Sequence, residues 1–197
     1  MANISFNPSL TTQPQNSFLL QSQGYVQGDF VDDPSSRMYL NSGVIASSVT
    51  QPVWGGMVLE ELVPTAGEGA LGSDLALAAG YTTATGISVF TQAYNMVIVP
   101  GNSVQTATAG MTISYFRFGS GARIRVQCSA ALATAVEGNP INTEVSWDFT
   151  NQLLVPFSTT ALPVKVLSVN ANSKIVNYNS GTGAVTYTTG VVAEILI

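Results

Sequence analysis

From position 53 onwards, short runs of apolar residues are separated by clusters of Gly, Asn, Ser or Pro. Runs of this length, rich in Val, Ile, Thr and aromatic residues, are typical of β-strands that end at turns. The runs predicted as strands are VWGGMVLEELV, GISVF, NMVIVP, MTISYFRF, ARIRVQC, EVSWDF, QLLVPF, VKVLSV, SKIVNY, AVTYTT and VVAEILI. Strands at such regular spacing predict an all-β fold, an antiparallel β-sandwich or barrel.

Three stretches depart from the strand pattern and predict one or two short helices. Asp33 can cap a helix, Pro34 suits its first position and Gly43 can close it after Asn41, which predicts a helix near 34–41. The segments SDLALAAG and CSAALATAV, both rich in Ala and Leu, are interpreted as single helical turns packed in loops.

The first 28 residues contain no charged side chain and are rich in Asn, Gln, Ser and Thr, with Pro8 and Pro14 blocking regular structure. A disordered tail is one reading, but such tails are usually rich in charge. This segment instead carries scattered large apolar residues, namely Phe6, Leu10, Phe18, Leu19, Leu20 and Tyr25. We therefore predict an extended N-terminal arm, residues 1–28, that lies on a neighbouring subunit, followed by one β domain over residues 29–197.

Half of the positive charge lies in Tyr115–Ser129, YFRFGSGARIRVQCS, which holds three of the six Lys and Arg residues. Gly119-Ser120-Gly121 can form the loop of a tight hairpin. The register that keeps one face apolar then places Arg117 opposite Arg123. The apolar face would be Phe116, Phe118, Ala122, Ile124, Val126 and Cys128, and the other face Tyr115, Arg117, Arg123, Arg125 and Gln127.

A like-charge pair directly opposed on a sheet is unfavourable. Two explanations stay open: carboxylates of the same chain, such as Asp148 or Glu144, neutralise this face, or another molecule does. Tyr115 stacked on Arg125 would fit either case. The candidate interaction residues are those of the hairpin and three aromatic residues of the arm, namely Arg117, Arg123, Arg125, Tyr115, Phe6, Phe18 and Tyr25.

The overall charge is low and negative. Charged residues make up 9% of the chain, against about 25% in an ordinary soluble domain. We infer that part of the surface is covered by protein rather than water, as in the subunit of a homo-oligomer or a larger assembly. The net charge of −5 argues against nucleic acid as a partner. The short, interrupted apolar runs predict no membrane partner.

Candidate chemistry is scarce. The chain has no histidine, which removes the commonest general base and the commonest metal ligand. It has no phosphate-binding loop and no metal-ligand spacing, so we expect no enzyme activity, no catalytic residue, no cofactor and no metal. The single cysteine, Cys128, cannot form an intrachain disulfide. The N-terminus lacks the basic start and apolar stretch of a secretion signal, and we expect folding in a reducing cytoplasm.

Four segments in order carry a resemblance to a known family. They are GYVQGDFVDDPSSRMYLNSGVIASSVTQPVWGGMVLEELVP (24–64), GISVFTQAYNMVIVPGNSV (86–104), MTISYFRFGSGARIRVQC (111–128) and VSWDFTNQLLVPF (145–157). Together they resemble small structural proteins of contractile-tailed bacteriophages of the capsid decoration, or cement, type. The resemblance covers roughly residues 24–157. It implies that the C-terminal strands, residues 160–197, belong to the part that varies among relatives.

The resemblance implies a structural virion protein that is made in the host cytoplasm and binds the outer surface of the mature capsid. Its partners would be the major capsid protein and further copies of itself, as a dimer or trimer, and the arginine face would meet an acidic patch on one of them. Two alternatives remain. One is a carbohydrate-binding or adhesion β-sandwich displayed on the virion, with Trp54 and Trp147 as candidate sugar-stacking residues. For Trp147, alternation with Val145 and Phe149 favours the core. The other is a tail or baseplate component.

Overall fold

The computed structural model describes residues 24–31, 37–64, 73–90 and 104–197. In these segments the chain is mostly β, which confirms the all-β prediction. One described helix, α1 (Ala130–Val136), accompanies the strands β1 (Phe30–Val31), β2 (Leu40–Ile45), β3 (Val58–Leu62), β4 (Ser73–Leu77), β5 (Gly86–Val89), β6 (Thr112–Arg117), β7 (Arg123–Gln127), β8 (Val145–Asp148), β9 (Leu153–Pro156), β10 (Lys165–Asn179) and β11 (Ala184–Leu196).

Five strands close into a barrel in the order β2-β4-β3-β5-β6. All neighbours are antiparallel except β2 and β4, which run parallel. A Cβ at Gly43 would lie 2.7 Å from the Leu75 Cγ, so the small residue leaves room for its neighbour in the barrel. Strand alternation directs one set of fully buried side chains inwards, namely Ile45, Leu59, Leu75, Ile113 and Tyr115.

A second layer packs on the outside of the barrel. It contains a four-stranded sheet in the order β1-β7-β11-β10, the two-stranded β8–β9 hairpin and α1. Val58, Ile87 and Phe116 point out of the barrel and share one buried apolar cluster with this layer. Strands β3, β5 and β6 are therefore buried on both faces. The residues that the second layer contributes include Ile124, Leu132, Trp147, Leu154 and Ile195.

The short helices were predicted with mixed success. The turn predicted in CSAALATAV is confirmed as α1. Ser129 caps this helix, because its hydroxyl accepts a hydrogen bond from the Leu132 N–H at 3.2 Å. The helix predicted in SDLALAAG is wrong, because Ser73–Leu77 forms β4. Its Leu75 is fully buried, and strand pairing on both sides overrides the helix preference of Ala and Leu.

The helix predicted near 34–41 is wrong at its C-terminal end. Strand β2 already begins at Leu40, and Gly43 lies inside that strand instead of closing a helix. Arg37 is helical, while residues 32–36, with Asp33 and Pro34, lie outside the described residues. The predicted strand NMVIVP, residues 95–100, also lies outside them.

The predicted arginine hairpin is wrong. Strand β6 pairs with β2 and β5 in the barrel, whereas β7 pairs with β1 and β11 in the second layer. The connecting residues cross between the layers. Phe118 N–H donates to the Thr85 carbonyl at 3.0 Å and Gly121 N–H to that of Ile197 at 2.7 Å. Because each strand has its partners in a different layer, Arg117 does not oppose Arg123.

Strands β10 and β11 are each a fusion of two predicted strands. The polar stretch around Asn170, which reads as a turn, is a β-bulge, because the register shifts by one residue between Asn170 and Ser173. Ser173 donates its hydroxyl to the Asn170 carbonyl at 3.0 Å. The result is a long two-stranded ribbon whose distal half packs against Trp54 through Val176 and Tyr178.

Residues 24–28, the last five of the predicted arm, lie against the β domain. Residues 1–23 lie outside the described residues. Val26 forms a parallel bridge with Lys174 of β10. Gln27 accepts a hydrogen bond from the Val176 N–H at 2.8 Å through its Oε1 atom. Gly28 then passes Gly55 so closely that a Cβ on either would meet the other's Cα within 2.6 Å. The described domain therefore includes residues 24–28.

Candidate interaction surface

Arg117, at the end of β6, pairs with Glu61 near the end of β3. Its Nε and Nη2 atoms donate to the two carboxylate oxygens at 2.6 and 2.8 Å. The Arg117 side chain is 55% exposed and that of Glu61 18%. The hydrogen bond from Arg117 holds the pKa of Glu61 below its ordinary value. Hydrogen bonds from Tyr115 and Ser73 to Glu61 lower its pKa further. Arg117 is therefore neutralised within the chain.

Arg125 is also neutralised within the chain. Its Nη1 atom donates to Asp29 at 2.8 Å, and its Nε atom lies 3.5 Å from a Glu194 oxygen. The guanidinium carbon sits 4.7 Å from the centre of the Tyr25 ring, a cation–π contact. The Tyr25 hydroxyl completes the cluster with Ser168 Oγ at 2.7 Å. Burial raises the pKa of the Asp29 carboxyl, even though Arg125 acts to lower it.

Arg123 differs from the other two arginines. It is half-buried on β7, opposite Val31 of β1 and Leu196 of β11. Among the residues that the structure describes, no carboxylate lies within 4.0 Å of its guanidinium. The same-chain explanation therefore holds for Arg117 and Arg125, with Glu61, Asp29 and Glu194 as partners instead of Asp148 or Glu144. It does not account for Arg123.

The aromatic candidates fall into three groups. Tyr115 is 1% exposed inside the barrel, and Tyr25, not Tyr115, is the ring that stacks on Arg125. Tyr25 is half-buried on the second layer. Phe6 and Phe18 lie outside the described residues. Their predicted role in binding a neighbour remains a prediction.

Both tryptophans are buried. Trp147 is 3% exposed and its indole N–H lies 3.3 Å from the Gln152 Oε1 atom, which also accepts the Val58 N–H at 3.0 Å. The prediction that Trp147 belongs to the core is confirmed. Trp54 is 8% exposed and tilts against Tyr178 with ring centres 6.1 Å apart. Neither ring offers a flat face to solvent of the kind that stacks on a sugar.

The described residues contain little that could perform chemistry. Within 24–31, 37–64, 73–90 and 104–197, no three His, Cys, Asp or Glu side chains are grouped so as to hold a metal ion. None of the helices in that part of the chain has the length and apolar character that a membrane crossing requires. Burial raises the pKa of the Cys128 thiol to about 12, so the reactive thiolate is not formed at neutral pH.

The distal ribbon of β10 and β11 carries almost no charge. Positions 166–193 hold a single charged residue, Lys174. Opposed pairs of the ribbon alternate between a face that packs against Trp54 and an outer face. The outer face consists of the pairs Ile175–Thr188, Asn177–Thr186 and Asn179–Ala184, all exposed except the half-buried Ile175.

Sequence reasoning missed the partners of the arginines because they come from distant strands. Glu61 is 56 positions from Arg117, and Asp29 is 96 from Arg125. It also missed Lys165, which the sheet register places on one row with Arg123. Predicting the pairing of β7 with β11 would have found Glu194, and predicting the pairing of β10 with β11 would have found Lys165.

No protein-family model matches the chain, and no curated protein or solved structure matches it either.

Proposed function

We propose that this chain is a structural protein of a tailed-bacteriophage virion, a decoration protein that binds the outside of the mature head and stabilises it. It would act as a homo-oligomer, with the major capsid protein as its principal partner. The proposal rests on the sequence resemblance given above together with the character of the described surface.

The observation that carries the proposal is the uncharged outer face of the β10–β11 ribbon. A protein with a net charge of −5 would ordinarily scatter charged residues over an exposed ribbon to keep it soluble. Here Thr and Asn side chains occupy that face instead. Such side chains can be buried against another protein without the cost of desolvating a charge. This surface is the kind expected for a subunit that stays bound to a shell.

A decoration protein stabilises a shell by binding only the assembled state, so that binding free energy adds to shell stability by mass action. The fold suits this task because its two packed layers are fixed by a common core, and the ribbon is anchored to the barrel at Trp54. A contact surface that is rigid before binding loses little conformational entropy on binding.

The carbohydrate-binding alternative has lost its main support, since Trp54 and Trp147 are both buried. A tail or baseplate component is distinguished from a head component by the particle to which the protein binds. The same uncharged face would serve either location.

The proposal is tested by adding the purified protein to phage heads that lack it. Heads and isolated tails are prepared separately, incubated with the protein and sedimented, and the heads are then heated to record the temperature at which they release DNA. We expect saturable co-sedimentation with heads and a higher release temperature. Binding to tails alone would favour the tail alternative, and binding to neither would contradict the proposal.

A further inference from the structure

Two of the chain's six cationic side chains lie on one row across the four-stranded sheet. The register opposes Lys165 of β10 to Leu196 of β11, Leu196 to Arg123 of β7, and Arg123 to Val31 of β1. Directly opposed residues point to the same side of a sheet. The row therefore presents a cation, an apolar residue, a second cation and a second apolar residue in that order.

Neither cation of this row is neutralised by the described part of the chain. Lys165 is exposed and Arg123 half-buried, and among the described residues no carboxylate lies within 4.0 Å of either. Asp29 and Glu194 are instead paired with Arg125. A carboxylate from a partner would give this half-buried guanidinium the charged acceptor that the described part of the chain does not provide.

The spacing of the row defines what it can bind. Adjacent strands lie about 4.8 Å apart, so the backbones at Lys165 and Arg123 are about 10 Å apart with Leu196 between them. We propose that this row binds an acidic segment of the major capsid protein, in which two carboxylates at similar spacing flank an apolar residue. The inference deepens the function proposed above and rests on it.

A protein carboxylate fits the row better than a phosphate backbone does. Arginine binds a carboxylate through two parallel hydrogen bonds, and Leu196 and Val31 offer apolar contacts that a nucleic-acid backbone would not use. Binding to a polyanion needs a broad basic field, whereas these two cations belong to a chain with a net charge of −5.

The test compares the unmodified protein with a double variant, Arg123→Glu and Lys165→Glu, in two measurements. Thermal unfolding of the free subunit reports on the fold, and a co-sedimentation titration with heads reports on binding. We expect an unchanged unfolding temperature and a loss of affinity for heads of about tenfold or more, because the partner's carboxylates are left unpaired. The conservative variant Arg123→Lys with Lys165→Arg should keep most of the affinity.

The remaining outcomes separate this inference from the proposed function. If the unmodified protein binds heads and the double variant binds them equally well, the row is not the contact and the function stands. If duplex DNA competes with heads for the unmodified protein but not for the double variant, the partner is a phosphate backbone and the inference fails. If the protein binds no heads, the function itself fails.

A third variant addresses partners within the chain. Asp32 and Asp33 follow Val31 in the sequence and lie outside the described residues. If the double variant and Asp32→Asn with Asp33→Asn both lower the unfolding temperature of the free subunit, the row is neutralised within the chain and the inference is overturned. If it leaves both unfolding and head binding unchanged, a partner outside the chain is supported.

Discussion

Arg117 joins Glu61 across one end of the barrel through two hydrogen bonds of 2.6 and 2.8 Å. The pair connects β6 to β3, which are not neighbours in the barrel because β5 lies between them. An ion pair that spans a third strand constrains the closure of the barrel as well as the two residues. It also explains why an arginine in a chain so poor in charge is not free to bind a partner.

The first prediction concerns Glu61→Gln. The hydrogen bond from Arg117 lowers the pKa of Glu61 below 4.5, so the carboxylate stabilises the fold above that pH, and this contribution is lost as the pH falls through the lowered pKa. We expect the variant to lose about 1 kcal/mol of unfolding free energy at pH 7 and less than that at pH 2. Urea unfolding at both pH values measures this.

The matched control for that experiment is Glu60→Gln. Glu60 precedes Glu61 on the same strand, points to the opposite face and forms no ion pair among the described residues. Its variant should unfold like the unmodified protein at both pH values. Equal losses in the two variants would show that net charge, and not the pair with Arg117, is responsible.

The second prediction concerns Asp29→Asn, where the dependence of stability on pH has the opposite sign. Burial raises the pKa of Asp29 above its ordinary value of 3.8, so the folded state favours the neutral carboxyl and loses stability as the pH rises through the raised pKa. The neutral amide should therefore keep at least the stability of the unmodified chain at pH 7. Thermal unfolding at pH 7 decides this, and a clearly lower midpoint would mean that the bond to Arg125 outweighs burial.

The third prediction concerns the crossing of Gly28 and Gly55. A Cβ at position 55 would lie 2.6 Å from the Gly28 Cα, and backbone atoms cannot move aside as a side chain can. Gly55→Ala should cost more than about 2 kcal/mol of unfolding free energy. Gly80→Ala is the control, because a Cβ there meets nothing within 4 Å. Similar melting curves for the two variants would refute the close crossing.

The fourth prediction concerns the buried amide of Gln152. Its Oε1 atom accepts a hydrogen bond from the Val58 N–H and lies 3.3 Å from the Trp147 indole N–H. Its Nε2 atom donates to the Phe149 carbonyl at 3.0 Å. Gln152→Leu would leave these groups unpaired, at about 1–3 kcal/mol for each buried group. We expect a large fall in the unfolding midpoint, which tryptophan fluorescence measures. Gln127→Leu, half-buried on β7, should be nearly neutral, and equal effects would argue against the role of Gln152.

The fifth prediction concerns the outer face of the ribbon. If that face is buried against a shell, a charge of either sign at Thr186 would be desolvated without a partner. Thr186→Glu and Thr186→Lys should both lower binding to heads while leaving the fold intact, since Thr186 is exposed. The same two changes at the exposed Thr134 of α1 are the controls. An effect of only one sign would indicate a charged partner instead of an uncharged contact.

The alternation of residues predicted the strands well but not their neighbours. It placed Ile124, Val126 and Cys128 on one buried face, and all three are buried. It failed at the Gly119-Ser120-Gly121 loop, because local turn preference favours a hairpin while β6 and β7 pair with strands of different layers. Pairing between distant strands depends on the whole core, which no local pattern contains.

The candidate site was likewise predicted in part. The concentration of three arginines was visible in the sequence, and the need for carboxylates followed from it. Which arginine remains without one depends on Glu61, Asp29 and Glu194, whose positions come from three separate strand pairings and the N-terminal segment. Only the assembled sheets single out Arg123 and place Lys165 on the same row.

The most direct measurement of the proposed function is an electron cryo-microscopy reconstruction of mature heads, prepared with this protein and without it. The proposal predicts additional density on the outer surface at repeated lattice positions, into which the barrel and the four-stranded sheet fit, with the outer face of the ribbon or the Lys165–Arg123 row in contact with the shell. Heads whose outer density is identical in the two preparations would contradict the proposal.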